Sequence, residues 1–197
     1  MEFQTPVNPV IFYSHCLIYL ILFIWGWNFI LMEYSHIQGG ARYDFPFPEI
    51  GSSFMHNINL VFHEAGHIIF NPFGRFMAVL GGSLMQILMP LIVAATFLIK
   101  EQNPFAASVG LWWVGQSMMD VAPYINDARN GQLILLGGTT GAETTGYHDW
   151  ETLFTMMNIM HLDHRIADTV DGLGVMIMLT AFGWGGLFLY KQFKTMH

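Results

Sequence analysis

Charged residues are scarce in this chain. Asp, Glu, Lys and Arg make up 11% of its 197 residues, whereas soluble domains carry about 25%. A surface exposed to water on all sides needs more charge than this, so the composition indicates an integral membrane protein. Lys and Arg number only seven against fourteen Asp and Glu, and the net charge of −7 argues against nucleic acid as a partner.

Cysteine is also nearly absent. The single residue, Cys16, excludes an intrachain disulfide framework. Apolar side chains are abundant instead: 53% of the residues are hydrophobic, and the mean hydropathy is +0.43. We therefore expect an all-α membrane protein in which residues 1–197 form one transmembrane domain, with no separate soluble domain.

Long uncharged segments predict about five transmembrane helices. Residues 10–32 contain no charge and are long enough for a bilayer core of about 30 Å, which takes roughly 20 helical residues. No Lys or Arg precedes this segment and no small-residue cleavage site follows it, so a retained helix is favoured over a secretory signal. The other four helices are predicted from Met55 to the NPFG stop at residues 71–74, and over residues 76–99, 105–124 and 173–190.

Two segments between these helices have a different character. Residues 128–150 include GGTTGAETTG, lack a helical period and are too long for a plain connection; such loops are usually functional or disordered. Residues 151–171 predict a helix with polar flanks. Lys100 and the lysines near the C-terminus favour a cytoplasmic location for residue 100 and for the C-terminus. We expect the membrane to be of the bacterial cytoplasmic type.

Three polar side chains interrupt the apolar segment NLVFHEAGHIIF. His63 and His67 are four residues apart, so both imidazoles lie on one helix face and can bind one zinc ion at about 2.0–2.1 Å. Glu64 lies about 100° around the helix, where it can take a proton from water and pass it to a leaving amine. A metal would also offset the cost of ionisable groups in a bilayer, at least about 2.5–3.5 kcal/mol each. This H-E-x-x-H pattern is typical of metalloproteases.

The segment resembles the signature helix of the site-2-protease family of intramembrane zinc metalloproteases. GGSLMQ is similar to that family's G-P-x-x-N element, with Ser83 for Pro and Gln86 for Asn. DVAPYINDARNG is similar to its N-x-x-P…D-G segment, with Asp120 for Asn and Pro123 for Pro. The resemblance covers residues 55–131, and it implies a zinc protease that hydrolyses peptide bonds of membrane-anchored protein or peptide substrates.

The third zinc ligand is less clearly marked than the first two. The resemblance implies Asp127, which matches the aspartate of the family's D-G segment. The residues alone leave Asp120 open, and also the pair His148 and Asp149 in GYHDW. Asp149 reaches the site only if the Gly/Thr-rich loop folds back to it. From its composition, that loop is a candidate lid or strand edge for a substrate.

The other histidines receive no metal role. HLDHRIAD places His161, His164 and Asp168 at helical spacing, which we interpret as a polar face at the membrane interface rather than a second metal site. His15, His36, His56 and His197 have no partner at ligand spacing.

Two other functions use the same metal site. One is a non-proteolytic scaffold or partner-binding protein with a structural zinc. The other is a zinc-dependent hydrolase of lipid-like substrates. Glu64 distinguishes a hydrolase from the scaffold, because a structural zinc site does not need an acid beside His63.

Overall fold

The computed structural model describes residues 8–37, 54–144 and 146–196, with only the backbone described for residues 32–37. Within these ranges the chain is all-helical, and its one β feature is an isolated bridge between Ile134 and Thr140. The all-α fold class is thereby confirmed. The helices are α1 Pro9–Ile37, α2 Phe54–Phe70, α3 Arg75–Ile99, α4 Pro104–Asn126, α5 Asp149–Met157 and α6 Asp163–Met196.

In the part of the chain that the structure describes, three helical segments are long and apolar enough to cross a membrane: Pro9–Leu31, Arg75–Ile99 and Met160–Met196. They make the chain compatible with an integral membrane protein and correspond to three of the predicted spans. The other two predicted spans are present as the helices α2 and α4, but a count of five spans is not confirmed. One reason is length, since the 17 residues of α2 extend only roughly 25 Å.

The helix α4 is central in the bundle and packs mainly against α6 and α3. Small residues allow these close approaches. A Cβ added to Gly115 would lie 2.7 Å from the Gly174 carbonyl oxygen of α6, and one added to Gly110 would lie 2.8 Å from Ala94 Cα of α3. Such contacts are typical of helix packing in membranes. The polar side chains of α4 lower its mean hydropathy. Because α4 is enclosed by other helices, these side chains face protein and not water.

The helices α2 and α3 form a tight antiparallel pair. They are joined by the short 3-10 helix Asn71–Phe73 and by Gly74, whose φ of 93° favours glycine. Gly66 and Gly81 lie where the two backbones touch: a Cβ on Gly66 would lie 2.1 Å from the Gly81 carbonyl oxygen. This contact fixes the histidine-bearing face of α2 against the first half of α3.

The predicted helix over residues 151–171 is wrong as a single element. The helix α5 ends at Asn158, which has a left-handed φ of 56°. A 3-10 turn, Met160–Leu162, follows, and α6 already begins at Asp163, earlier than the predicted start at residue 173. A left-handed residue reverses the chain direction and stops the helix.

Candidate metal centre

Three side chains from two helices converge at one point. His63 and His67 lie one turn apart on α2, with ring centroids 4.8 Å apart. Asp149 is the first residue of α5. Its Oδ2 lies 2.9 Å from His63 Nε2 and 3.2 Å from His67 Nε2. Among the described residues this is the one group of His, Cys, Asp and Glu side chains close enough to hold a metal ion.

The arrangement fits a zinc ion. Donor atoms bound to zinc at 2.0–2.1 Å lie roughly 3.2–3.5 Å apart at tetrahedral angles. The observed separations of 2.9 and 3.2 Å therefore require only a small expansion of the cluster. Two imidazoles and one carboxylate are a donor set of catalytic zinc sites, which keep a fourth position for water or substrate.

Asp149, and not Asp127, is the carboxylate that the structure brings to the histidines. The Asp127 carboxylate lies at the end of α4 and accepts hydrogen bonds from the backbone N–H groups of Gln132 (2.9 Å) and Leu133 (2.8 Å). The Gly/Thr-rich loop folds back and presents Asp149 instead. Asp149 lies outside residues 55–131, the predicted metal-site core.

Each histidine is oriented through its second ring nitrogen. His63 Nδ1 donates to Gln86 Oε1 at 3.2 Å, and His67 Nδ1 donates to the Ala78 carbonyl oxygen at 2.8 Å. With Nδ1 donating to an acceptor on α3, each ring directs its Nε2 atom toward the Asp149 carboxylate. This orientation makes Nε2 the atom that would bind a metal.

A buried polar network lies behind His63. Asp120 is 2% exposed and accepts hydrogen bonds from Gln86 Nε2 (2.8 Å), Asn59 Nδ2 (3.0 Å) and His56 Nδ1 (2.9 Å). Gln86 therefore connects the Asp120 carboxylate to the His63 ring. Asp120 is not among the clustered donors; it supports them from α4.

Two members of this network, His56 and Asn59, were not among the residues predicted from the sequence. His56 lies seven positions and Asn59 four positions before His63 on α2, so both are at helical spacing from it. Extending the helical period backward from the H-E-x-x-H pattern would have placed them on the same face. The partner of His56, Asp120, is 64 positions away in sequence, and His56 is not among the clustered donors.

The remaining predicted residues lie away from the three donors. His161, His164 and Asp168 are exposed, as expected for a polar face, and they are not part of the described donor group. His15 Nδ1 donates to Gln192 Oε1. His36 and His197 lie outside the described side chains.

Glu64 is half-buried beside the cluster. It lies close enough to His67 for an electrostatic interaction. Among the described residues, no group forms a hydrogen bond to its carboxylate. The Glu64 side chain therefore does not hold the helices together through a hydrogen bond in the described part of the chain.

The Asp149 carboxylate is held in its ionised form. Burial alone would raise its pKa, but hydrogen bonds from His63 and His67 outweigh burial and lower the pKa to about 2. A carboxylate binds a metal only when deprotonated. No proton therefore has to be removed from Asp149 at neutral pH before it binds a cation.

Gly82 of α3 leaves space at the donor atoms. A Cβ at this position would lie 2.6 Å from His63 Nε2 and 2.7 Å from His67 Nε2. Both rings are tied through Nδ1 to α3, so they have little freedom to move away. A side chain at residue 82 would therefore occupy the position of a bound ion or of its fourth ligand.

We expect Gly82→Ala to lose stoichiometric zinc while keeping its helix content, because alanine favours a helix over glycine by about 1 kcal/mol. Gly183→Ala on α6 is the matched control, since no heavy atom lies within 4 Å of its added Cβ. Zinc content and circular dichroism of both purified variants check this. Full zinc binding by Gly82→Ala would contradict the placement of the ion.

In comparisons with protein-family models, with curated proteins and with solved structures, this chain matches none.

Proposed function

We propose that this protein is an intramembrane zinc metallopeptidase that hydrolyses peptide bonds of membrane-anchored proteins or peptides. The observation that supports this most is the convergence of His63, His67 and Asp149, with Glu64 next to His63 on the same helix. In the proposal Asp149 replaces Asp127 as the third ligand.

The chain's own groups account for the steps of peptide hydrolysis. His63, His67 and Asp149 would hold the zinc ion, which would supply Lewis-acid activation of a carbonyl and of water. The Glu64 carboxylate takes a proton from the attacking water and delivers it to the nitrogen of the departing amine. Gln86 and the Ala78 carbonyl keep both imidazole rings in the orientation that these steps need.

The number of protein donors favours a catalytic over a structural metal. Structural zinc sites are closed by four protein ligands, whereas catalytic sites have three and an open position. Three donors converge among the described residues. The side chains of His63, His67 and Asp149 are 18%, 27% and 25% exposed, so the cluster is accessible from one side. These features argue against the structural-zinc scaffold.

The surroundings of the cluster favour a substrate held in or at the membrane. The last turn of α2, which carries His67, also exposes Ile68 and Ile69, and the adjoining α3 is a candidate membrane span. Exposed apolar side chains on the helix that carries the histidines suit a lipid-anchored or transmembrane segment better than a folded soluble protein. A cytoplasmic C-terminus in a bacterial-type membrane is part of the same proposal.

The test is metal analysis and hydrolysis by the purified protein in lipid. Peptides spanning the bilayer and lipid-ester substrates are offered separately, with and without a chelator, and zinc is then restored. His161→Ala, an exposed histidine outside the cluster, is the control for His67→Ala. Chelator-sensitive peptide cleavage, lost in His67→Ala only, is the expected result.

Each other outcome points to a different function. Absence of zinc would remove the metal centre from the proposal. Zinc with ester but no peptide hydrolysis would establish the lipid hydrolase. Zinc with neither activity would leave the scaffold.

A further inference from the structure

We propose that Asp127 and His148 act as a positioning pair that holds Asp149 against His63 and His67. This inference rests on the proposed metal centre. It gives Asp127, the residue matched to the family's ligand, an indirect role. The Asp127 carboxylate acts through His148, which precedes the proposed ligand Asp149.

His148 determines where α5 begins. It is the N-cap residue of that helix, and its Nδ1 accepts a hydrogen bond from the Glu151 backbone N–H at 3.3 Å. Asp149, the next residue, is thereby placed at the first helical position. Because Nδ1 is the acceptor, the neutral His148 ring has its proton on Nε2. The direction of that N–H is fixed by the cap.

The Nε2–H group faces Asp127. His148 is 1% exposed, and among the described residues its Nε2 has no partner at hydrogen-bond distance. The Asp127 Oδ2 atom lies 3.7 Å away. Burying an N–H without a partner is unfavourable, and the facing carboxylate reduces this cost electrostatically.

Asp127 is itself held rigidly. Its carboxylate accepts the backbone N–H groups of Gln132 and Leu133. Burial raises the pKa of Asp127, but the facing His148 ring and the hydrogen bonds from these two amides outweigh burial and lower it. One ionised carboxylate therefore connects the end of α4, the start of the loop and the start of α5.

The loop leaves the His148 ring no room to turn. A Cβ added to Gly141 would lie 3.0 Å from His148 Cδ2, and one added to Gly131, which has a φ of 57°, would lie 2.7 Å from the Ala142 nitrogen. The two glycines let the loop close on the ring. The Gly/Thr-rich loop thus packs against the His148 ring, and this gives the loop a function in the proposed metal centre.

The test compares zinc affinities of Asp127→Asn, His148→Asn and the double variant in the full-length protein. Asparagine is a good N-cap residue, so His148→Asn keeps the start of α5 and removes only the ring. We expect each single variant to bind zinc about 10–100-fold more weakly. The double variant should be no weaker than the weaker single variant, because both changes break the same contact.

Glu143→Gln is the matched control. Glu143 is a carboxylate in the same loop that accepts the Thr140 backbone N–H at 2.9 Å, but it is exposed and makes no contact with His148. Its zinc affinity should equal that of the original chain. The visible spectrum of the Co²⁺-substituted protein gives a second readout, which should change in both single variants and not in the control.

Several outcomes would overturn the positioning pair. An unchanged zinc affinity in His148→Asn would do so even if Asp127→Asn fails to fold. Additive losses of zinc affinity in the double variant would show that the two residues act independently. Complete loss of metal in Asp127→Asn with no effect of His148→Asn would make Asp127 a ligand. Failure of the metal centre itself is distinguishable, because Asp149→Ala would then also bind zinc like the original chain.

Discussion

Asp149→Ala should purify without zinc. A three-ligand site that loses one donor keeps two imidazoles, and two ligands hold zinc far more weakly than three. Asp127→Ala and Asp120→Ala remove groups that act through His148 and Gln86, so both should still bind zinc when it is supplied in excess. Zinc content by elemental analysis and affinity by competition with a chelator separate the three variants.

Asp168→Ala is the control for Asp149→Ala, because Asp168 is an exposed aspartate outside the cluster. It should bind zinc as the original chain does. A metal-free Asp127→Ala beside a zinc-replete Asp149→Ala would restore the ligand set implied by the family resemblance. In that case Asp149 would be only an ion-pair partner of the two histidines.

Glu64→Gln should keep its zinc and lose turnover. Glutamine has nearly the shape of glutamate but cannot accept the proton from water, so the change removes the chemistry and leaves the helix intact. General acid–base groups contribute typically about 10²–10⁴-fold, and a group that serves both proton transfers belongs at the upper end. We therefore expect peptide hydrolysis to fall by about 10⁴-fold, measured with bound zinc counted in the same sample.

Two results would contradict the role of Glu64. Loss of zinc in Glu64→Gln would place the residue among the ligands. Undiminished hydrolysis with zinc retained would leave the proposed mechanism without a base. Glu151→Gln, a half-buried acid in the first turn of α5, is the control and should hydrolyse peptides at the original rate.

The helices could be read from the sequence because their signals are local. Long apolar segments identified α1, α3 and α6, and the i, i+4 spacing placed His63 and His67 on one face of α2. The number of membrane spans does not follow from hydropathy in the same way. In α4 the side chains Gln116, Ser117 and Asp120 reduce the hydropathy although they are buried against other helices. Hydropathy does not distinguish a polar side chain facing protein from one facing water.

The position of Asp149, the third donor of the cluster, could not be predicted from local signals. Asp149 and His63 are 86 positions apart in sequence, and their contact depends on the path of the intervening loop. Nothing in the local pattern of GYHDW specifies that path; the closing contacts are those of Asp127, Gly141 and His148. The family resemblance favoured Asp127, which the structure places close to the segment that carries Asp149.

The two halves of the cluster are also synthesised far apart in time. At translation rates of roughly 5–20 residues per second, 86 residues separate His63 from Asp149 by roughly 4–17 s. The residues of the α2–α3 pair follow one another closely in the sequence, so the pair can form in that interval. During it, the nascent chain offers a metal two imidazoles and no carboxylate from α5. In the proposed metal centre, the third ligand therefore becomes available only after the segment that follows α4 has been synthesised and has folded back to α2.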